Sequence, residues 1–368
     1  MQKVALIFTA ATGGGHNQAA EALKYRLEQQ GVDVKIVHLL KSCPKVVEAL
    51  VESGYTFMAT YFSRFYGGLY HFSHHYHINN NLKKMVLKLT KAQMTEQIQR
   101  FNPSLLISTH PFFVNPMAEL KKEGATDAKC LSVITDLGVH RFYLNPSIDA
   151  YITGSKYTND QLVQYGISQE RIFDFGIPVS EQFYTTQTDP NVSDQKPFKV
   201  LVMSGSMGSY KLIPLMQSLK KIKKPIHIDL VCGNNKALFD HLEKQLPQFP
   251  NRIRLNLHRY VHNVDALMGE ADLLISKPGG LTLTEAIYKD LPMVIPFFIQ
   301  GQEAENAEIL SSLGVAIKLD KPRYIHQLID RIMDEPILLE KMHFNIRQIS
   351  ENYSMDEIDN LMSKLIAS

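Results

Sequence analysis

The chain has 368 residues, 45% hydrophobic and 21% charged, enough for two ordinary domains with their own cores and too apolar for a disordered chain. No run of 18 apolar residues and no signal-peptide pattern is present, and Cys43, Cys130 and Cys232 are scattered without CxxC spacing; a membrane-spanning helix, a disulfide framework and a zinc site are therefore not expected, and a reducing cytoplasm is. The net charge of +2 hides an excess in the first hundred residues, twelve Lys and Arg against six Asp and Glu, which favours an anionic partner or a solvated basic face.

The first element predicted is a buried strand over 3–9. The loop "TAATGGGH" and a helix over 16–30 ending at Gly31 follow, and then a strand over 32–40, "VDVKIVHLL". Strand–helix–strand with short connections implies a parallel sheet. Between Tyr55 and Tyr76 lie nine aromatics, including Phe65 and Tyr66, interleaved with His71, His74, His75 and His77 and followed by Lys83, Lys84, Lys88 and Lys91. Such a mixture suits a water–bilayer boundary or an aromatic-rich packed hairpin; without nearby carboxylates or cysteines, a metal site is not expected there. Strands are predicted over 104–109, 129–135 and 150–155, and "FGIP" at 175–178 closes this half.

Residues 185–197, "TTQTDPNVSDQKP", are polar and aperiodic and read as a linker. The pattern then restarts, with strands over 198–204, 226–232, 253–258, 272–277 and 292–297. The fold class expected is α/β, two doubly wound Rossmann-like domains facing a central cleft.

Three glycine loops follow strands. Gly13, Gly14 and Gly15 let the backbone approach a ligand at a helix amino terminus, which favours phosphate or developing negative charge; a tight turn is the other reading. The spacing is not GxGxxG, His38 stands where a dinucleotide site needs an acid, and no Lys-Ser/Thr pair follows as in a Walker loop. The second loop, "SGSMGSY" (204–210), offers Gly205, Ser206, Gly208 and Ser209 to a diphosphate. In the third, "SKPGGLTLTEA" (276–286), Lys277 can neutralise phosphate, Thr282 is read as the helix start, and Glu285 lies where a carboxylate could accept from a ribose diol. "TLTE" also fits a capping box. Gln302, Glu303 and Asn306 in "GQEAEN" match sugar hydroxyls in polarity, or simply begin a surface helix.

Taken in order, "TGGGH…AAEAL", "TDLGVH", "GIPVSEQF", "SGSMGS", "SKPGGLTLTEA" and "GQEAEN" resemble the motif series of the monogalactosyldiacylglycerol-synthase-like glycosyltransferases. Bacterial diacylglycerol glucosyltransferases and the lipid II-forming N-acetylglucosaminyltransferase are related. The resemblance spans about residues 3 to 320 and implies the two-domain GT-B fold: an acceptor and membrane-facing domain over 1–184, a linker over 185–197 and a UDP-sugar domain over 198–345. It also implies that 346–368 returns to the first domain. By the same resemblance Glu285 holds the ribose, Gly205 and Ser206–Ser209 meet the diphosphate, and Lys277, Gly279, Gly280 and Thr282 line that pocket. Tyr260 and Val261 meet the uracil edge, while Gln302, Glu303 and Asn306 read the donor sugar. His16 is the general base and Asp136 lies with it in the catalytic set; Gly13, Gly14, Gly15, Phe65, Tyr66 and His140 meet the acceptor. Glu305 departs from plant relatives, which carry a smaller residue or a lysine there.

The function implied is inverting transfer of a hexose from a UDP-sugar to a membrane lipid, diacylglycerol first, at the cytoplasmic face of the membrane. His16, at an unperturbed pKa near about 6.5, would take the acceptor proton. No cofactor or obligatory metal is expected, since helix dipoles and Lys277 can stabilise leaving UDP. The rival readings are a UDP-N-acetylglucosamine 2-epimerase and a non-catalytic nucleotide-sugar sensor. Nucleic acid is not an expected partner, because the basic residues form no dense run within a known module. Glucose, galactose and N-acetylglucosamine are not distinguished.

Overall fold

The computed structural model describes residues 2–10, 14–39, 80–185, 197–203, 205 and 211–368, and divides into two compact units. The first comprises Met1–Ser180, Ile299–Glu305 and Asn352–Ser368; the second comprises Glu181–Phe298 and Asn306–Glu351. The aromatic segment at 55–76 and most of the proposed linker lie outside the described residues.

The first unit opens with β1 (Val4–Thr9), α1 (Gly15–Gln29) and β2 (Asp33–His38). β1 is buried on both faces beyond its first residue, the pattern of a central parallel strand covered by helices on either side. Its Leu6, Ile7 and Phe8 are fully buried, each contributing roughly 1.5–3 kcal/mol of burial. α1 lays Ala19, Ala20, Leu23 and Leu27 against the core, small residues first, so its amino end packs close to the sheet. It stops in a Schellman motif: Val32 N–H donates to Leu27 O and Gly31 N–H to Glu28 O, with Gly31 at φ 77°.

The unit continues through α2 (Asn80–Phe101), β3 (Leu105–Ser108), α3 (Pro111–Lys122), β4 (Lys129–Val133), β5 (Ala150–Ile152), α4 (Lys156–Gln164) and β6 (Ile172–Phe173). All pairings are parallel, in the order β2-β1-β3-β4-β5-β6. The connections leave in opposite directions from β1 and β3, so the crevice beyond their carboxyl ends is the switch point where open α/β sheets bind ligands.

The second unit holds α5 (Gln182–Thr185), β7 (Phe198–Met203), α6 (Leu212–Leu219), β8 (Ile226–Val231), α7 (Lys236–Glu243), β9 (Ile253–His258), α8 (Val264–Glu270) and β10 (Leu273–Ile275). It ends with α9 (Gly280–Tyr288), β11 (Met293–Ile295), α10 (Gln302–Ser312, whose first four residues group with the first unit), β12 (Ala316–Lys318), α11 (Ile325–Asp334) and α12 (Ile337–Ile349). The parallel order β12-β11-β10-β7-β8-β9 is the dinucleotide-fold order, and its switch point falls between β7 and β10. Two-domain α/β architecture is thus observed. The strands β6 and β12 were not anticipated, and several expected strands are shorter by one or two residues at their loop ends.

The last helix, α13 (Met355–Ala367), packs within the first unit, its Met355, Ile358 and Met362 buried. Ser354 caps it by accepting from Glu357 N–H, and Arg26 of α1 pairs with Asp356 and Asp359. Just before it, the Tyr353 ring lies on Gly176 and its hydroxyl donates to Gly154 O at 2.5 Å. Gly176 has φ 90°, and an added Cβ would stand 2.9–3.2 Å from Tyr353 ring carbons. Gly176→Ala therefore carries both left-handed strain and a ring collision, and should cost about 1–3 kcal/mol in urea unfolding of the first unit. A loss under about 0.5 kcal/mol would show that neither constraint is real.

Candidate active site

At the switch point of the first sheet, β1 ends at Thr9 and α1 begins beyond Gly14, which caps the helix at φ 87° and ψ −33° with no side-chain cap. That backbone favours glycine, and the helix's first N–H groups have no intrahelical partner. His16 is the second helical residue. Its Nδ1 lies 2.7 Å from Thr109 O and 2.8 Å from Thr135 Oγ1. A carbonyl only accepts, so Nδ1 carries the proton and the neutral ring keeps its lone pair on Nε2. Nε2 has no hydrogen-bond partner among the described residues.

Thr109 is placed by the sheet itself. Phe8 and Ser108 are register partners, Thr109 N–H donates to Phe8 O at 3.2 Å, and Thr109 Oγ1 donates to Thr9 Oγ1 at 2.9 Å. Beside it, the buried His110 ring meets the His16 ring edge-on with centroids 4.6 Å apart. His110 caps α3 by accepting from Phe112 N–H on its own Nδ1, so its proton sits on Nε2. Burial holds His110 well below the ordinary imidazole pKa, with His16 and His140 adding like-charge repulsion.

Burial also lowers His16 to about 4, against the smaller opposing effect of the Thr109 hydrogen bond. The unperturbed value expected from sequence is therefore corrected. At a pKa near 6.5 about a quarter of the rings would be protonated at pH 7; at about 4 essentially all are neutral bases.

Asp136 is buried and accepts from the Gln302 side-chain amide, which belongs to the same unit. Glu303 turns back to accept from Ile299 N–H at 2.8 Å, and Glu305 lies over Gly138, where an added Cβ would stand 2.3 Å from its carboxyl carbon. His140 caps a short 3-10 turn by accepting from Phe142 N–H. Gly15 begins α1. Gly13, Phe65 and Tyr66 lie outside the described residues.

In the second unit, Gly205 just after β7 meets Lys277 just after β10 at the other switch point. Gly205 has φ 81°, and an added Cβ would stand 2.9 Å from Lys277 Cε, so the lysine stem lies against the first loop's backbone. Gly279 caps α9 without a side-chain bond, and Gly280 is its first residue. The helix thus starts two residues before Thr282, and the "TLTE" capping box is not formed. Thr282 and Glu285 are instead half-buried inside the first turns. Asn306 is buried and donates to Pro278 O at 3.0 Å, bracing the turn. Tyr260 is exposed beyond β9, with Val261 half-buried beside it. Ser206, Gly208 and Ser209 lie outside the described residues.

Glu285 has no side-chain partner among the described residues, and desolvation pushes its pKa up to about 8. A carboxyl group held neutral in this way can both donate to and accept from hydroxyl groups. No group of three or more His, Cys, Asp or Glu placed to hold a metal ion occurs among the described residues.

Thr109, Thr135, His110 and Tyr143 were not singled out in the sequence. "STH" closes the third strand and "VITD" the fourth, and their place at strand ends is the signal that Thr109, His110 and Thr135 offer.

This is the architecture of a GT-B glycosyltransferase, with a catalytic histidine candidate at one switch point and phosphate-type loops at the other. Residues 16–179 match the model of the monogalactosyldiacylglycerol (MGDG) synthase family and residues 199–356 that of the glycosyltransferase family 28 C-terminal domain. Together the two matches cover most of the chain, which is a glycosyltransferase. It is similar to the processive diacylglycerol beta-glucosyltransferase of Bacillus pumilus, 27% identical over 367 residues, which cover 97% of this chain and 93% of that protein. The Bacillus subtilis protein of the same name is 26% identical over 355 residues, 94% of this chain and 91% of that one. Among solved structures, Acinetobacter baumannii MurG aligns over 98% of this chain and 99% of its own, with a TM-score of 0.68 and 17% identity. Anabaena HepE in complex with UDP covers 100% of both chains at a TM-score of 0.57 and 13% identity.

The raised Glu285 pKa has a stability consequence. The folded state holds this proton up to about pH 8, whereas the unfolded chain releases it near 4.5. The folded state binds the extra proton in that window, so stability falls as pH rises from 4.5 to 8 and then levels off. Glu285→Gln mimics the neutral form. It should raise the apo Tm by at least about 3 °C at pH 8, and by much less at pH 4.5. An equal or negative shift at pH 8 in thermal melts would mean the carboxylate is already paired.

Proposed function

We propose that this enzyme transfers a hexose from a UDP-sugar to the hydroxyl of a membrane diacylglycerol, with inversion at the anomeric carbon. The observation that carries the reading is His16: a neutral imidazole at the switch-point crevice with Nδ1–H engaged and Nε2 open as a base. The relatives named diacylglycerol beta-glucosyltransferases, matched over more than nine-tenths of both chains, support glucose as donor sugar and diacylglycerol as acceptor. Their beta product fits inversion of an alpha-linked nucleotide sugar.

In this mechanism the lipid hydroxyl oxygen forms a bond to the anomeric carbon while the bond from that carbon to the diphosphate oxygen breaks. The hydroxyl proton passes to His16 Nε2, and UDP leaves with the electron pair. A base with a pKa of about 4 does not ionise an alcohol in advance; it takes the proton as the new bond forms. In this reading the amino terminus of α9 and Lys277, whose stem lies against Gly205, receive the leaving diphosphate. Glu285 accepts from the ribose hydroxyls, and Gln302 and Glu303 meet the sugar. Asn306, buried against Pro278, acts by holding the turn. Asp136, tied to Gln302, sets the shape of the loop beside His16.

Peripheral attachment at an anionic cytoplasmic leaflet is part of the proposal. The basic first hundred residues and the aromatic and lysine segment support it, and no described helix is long and apolar enough to cross a membrane.

Radiolabelled UDP-glucose, UDP-galactose and UDP-N-acetylglucosamine, each offered with dioleoylglycerol in phosphatidylglycerol vesicles, test the reading. Labelled glycolipid from UDP-glucose is expected, and His16→Ala should lower kcat by about 10²–10⁴-fold. An epimerised sugar without lipid label would replace the reading with epimerase chemistry, and binding without turnover would make the protein a sensor. A loss below threefold in His16→Ala would remove the base assignment.

A further inference from the structure

Beyond His16, the geometry points to Thr135 as a positioning residue: its hydroxyl is the second acceptor for the His16 Nδ1–H and helps hold the ring in the tautomer that leaves Nε2 open. This inference rests on His16 being the base and concerns how its ring is held.

Two oxygens converge on one ring nitrogen, Thr109 O at 2.7 Å and Thr135 Oγ1 at 2.8 Å. Both distances are within normal hydrogen-bond length. The two acceptors come from the ends of different strands, β3 and β4, which are neighbours in the sheet. With the carbonyl fixing the proton on Nδ1, the threonine hydroxyl must accept from it and turn its own hydrogen away. Tyr143 Oη, 3.4 Å from Thr135 Oγ1, is within reach as its acceptor. Tyr143 is fully buried, and burial holds its phenol protonated throughout the working range, so it serves as a fixed hydroxyl and not as an ion. Thr135 is itself buried, and its methyl group and backbone leave the hydroxyl few orientations.

The two acceptors divide the task. The carbonyl selects the tautomer, while the hydroxyl restrains rotation of the ring about its Cβ–Cγ bond, which a single hydrogen bond leaves loose. Both also stabilise the imidazolium that forms when Nε2 takes a proton, because a positive ring donates more strongly from Nδ1. The other titratable groups around the ring are His110, edge-on at 4.6 Å, Tyr143, and Asp136 and His140 on the loop that follows Thr135.

The experiment compares Thr135→Val, Thr135→Ser and His16→Ala in the vesicle assay with UDP-glucose and dioleoylglycerol, after thermal melts confirm folding. Thr135→Val should lower kcat about tenfold or more and leave both KM values within about twofold, because the hydroxyl touches neither substrate. The acidic limb of kcat/KM should move to lower pH in that variant, since the protonated ring loses an acceptor. Thr135→Ser should recover most of kcat. Should Thr135→Val fail to fold, Thr135→Ala makes the same comparison. A kcat within twofold of wild type for the valine or alanine variant, with His16→Ala still inactive, overturns the role of Thr135 alone. Activity retained in His16→Ala as well overturns the base reading beneath it.

Discussion

The hydrogen bond from His16 Nδ1–H to Thr109 O is the contact on which the chemistry proposed for the first unit depends. It exists because two parallel strands adjacent in the sheet, β1 and β3, send their chains in opposite directions at their carboxyl ends. The sheet register pairs Phe8 with Ser108, which delivers the Thr109 carbonyl one residue past the strand, and Gly14 turns the chain so that α1 starts beside it. A one-residue slip of β3 would turn its alternating side chains to the opposite faces and displace that carbonyl. The second unit uses the same device differently: the strands β7 and β10 at its switch point end in glycine loops, and a lysine stem lies against the backbone of the other loop. One switch point thus carries the histidine proposed as base, and the other carries Lys277 and the amino end of α9.

Both ionisable groups proposed for the central tasks are held neutral by desolvation, in opposite senses. His16 is kept from gaining a proton and Glu285 from losing one. Neither state favours the stability of the empty protein, since each group would be better solvated in the unfolded chain. Surface pairs such as Lys91 with Glu123 and Lys236 with Asp240 illustrate the contrast, because partners raise the lysine pKa in one and lower the aspartate pKa in the other. Such exposed pairs add little to stability. Of the desolvated ionisable groups, His16 and Glu285 lie at the strand-end loops where ligands are expected, a common relation between perturbed titration and function.

The central strands were legible because they are unbroken apolar runs bounded by glycine or polar loops. Ile172–Phe173 and Ala316–Lys318 were not, being two and three residues long, with the second half-buried and charged. The start of α9 at Gly280 was misplaced because Thr282 and Glu285 form a capping-box pattern that the backbone does not use. The glycine loops, His16 and Glu285 stood out by residue type and spacing. Their protonation did not, because it depends on burial that only the assembled sheet creates. Thr109 and Thr135 are 93 and 119 residues from His16 in the chain, so no local pattern joins them to it. Asn306 has the polarity of a sugar ligand, and its donation to Pro278 O is visible only in three dimensions.

The most direct test of the central claim is a pH titration of the histidine ring nitrogens by 15N NMR, with His16→Ala used to assign its signals. His16 should remain a neutral Nδ1–H tautomer from pH 8 down to about pH 5 and gain its second proton near 4. An Nε2–H tautomer, or titration at 6 to 7 like a solvated imidazole, would contradict both the desolvated neutral base and the hydrogen bond that orients it.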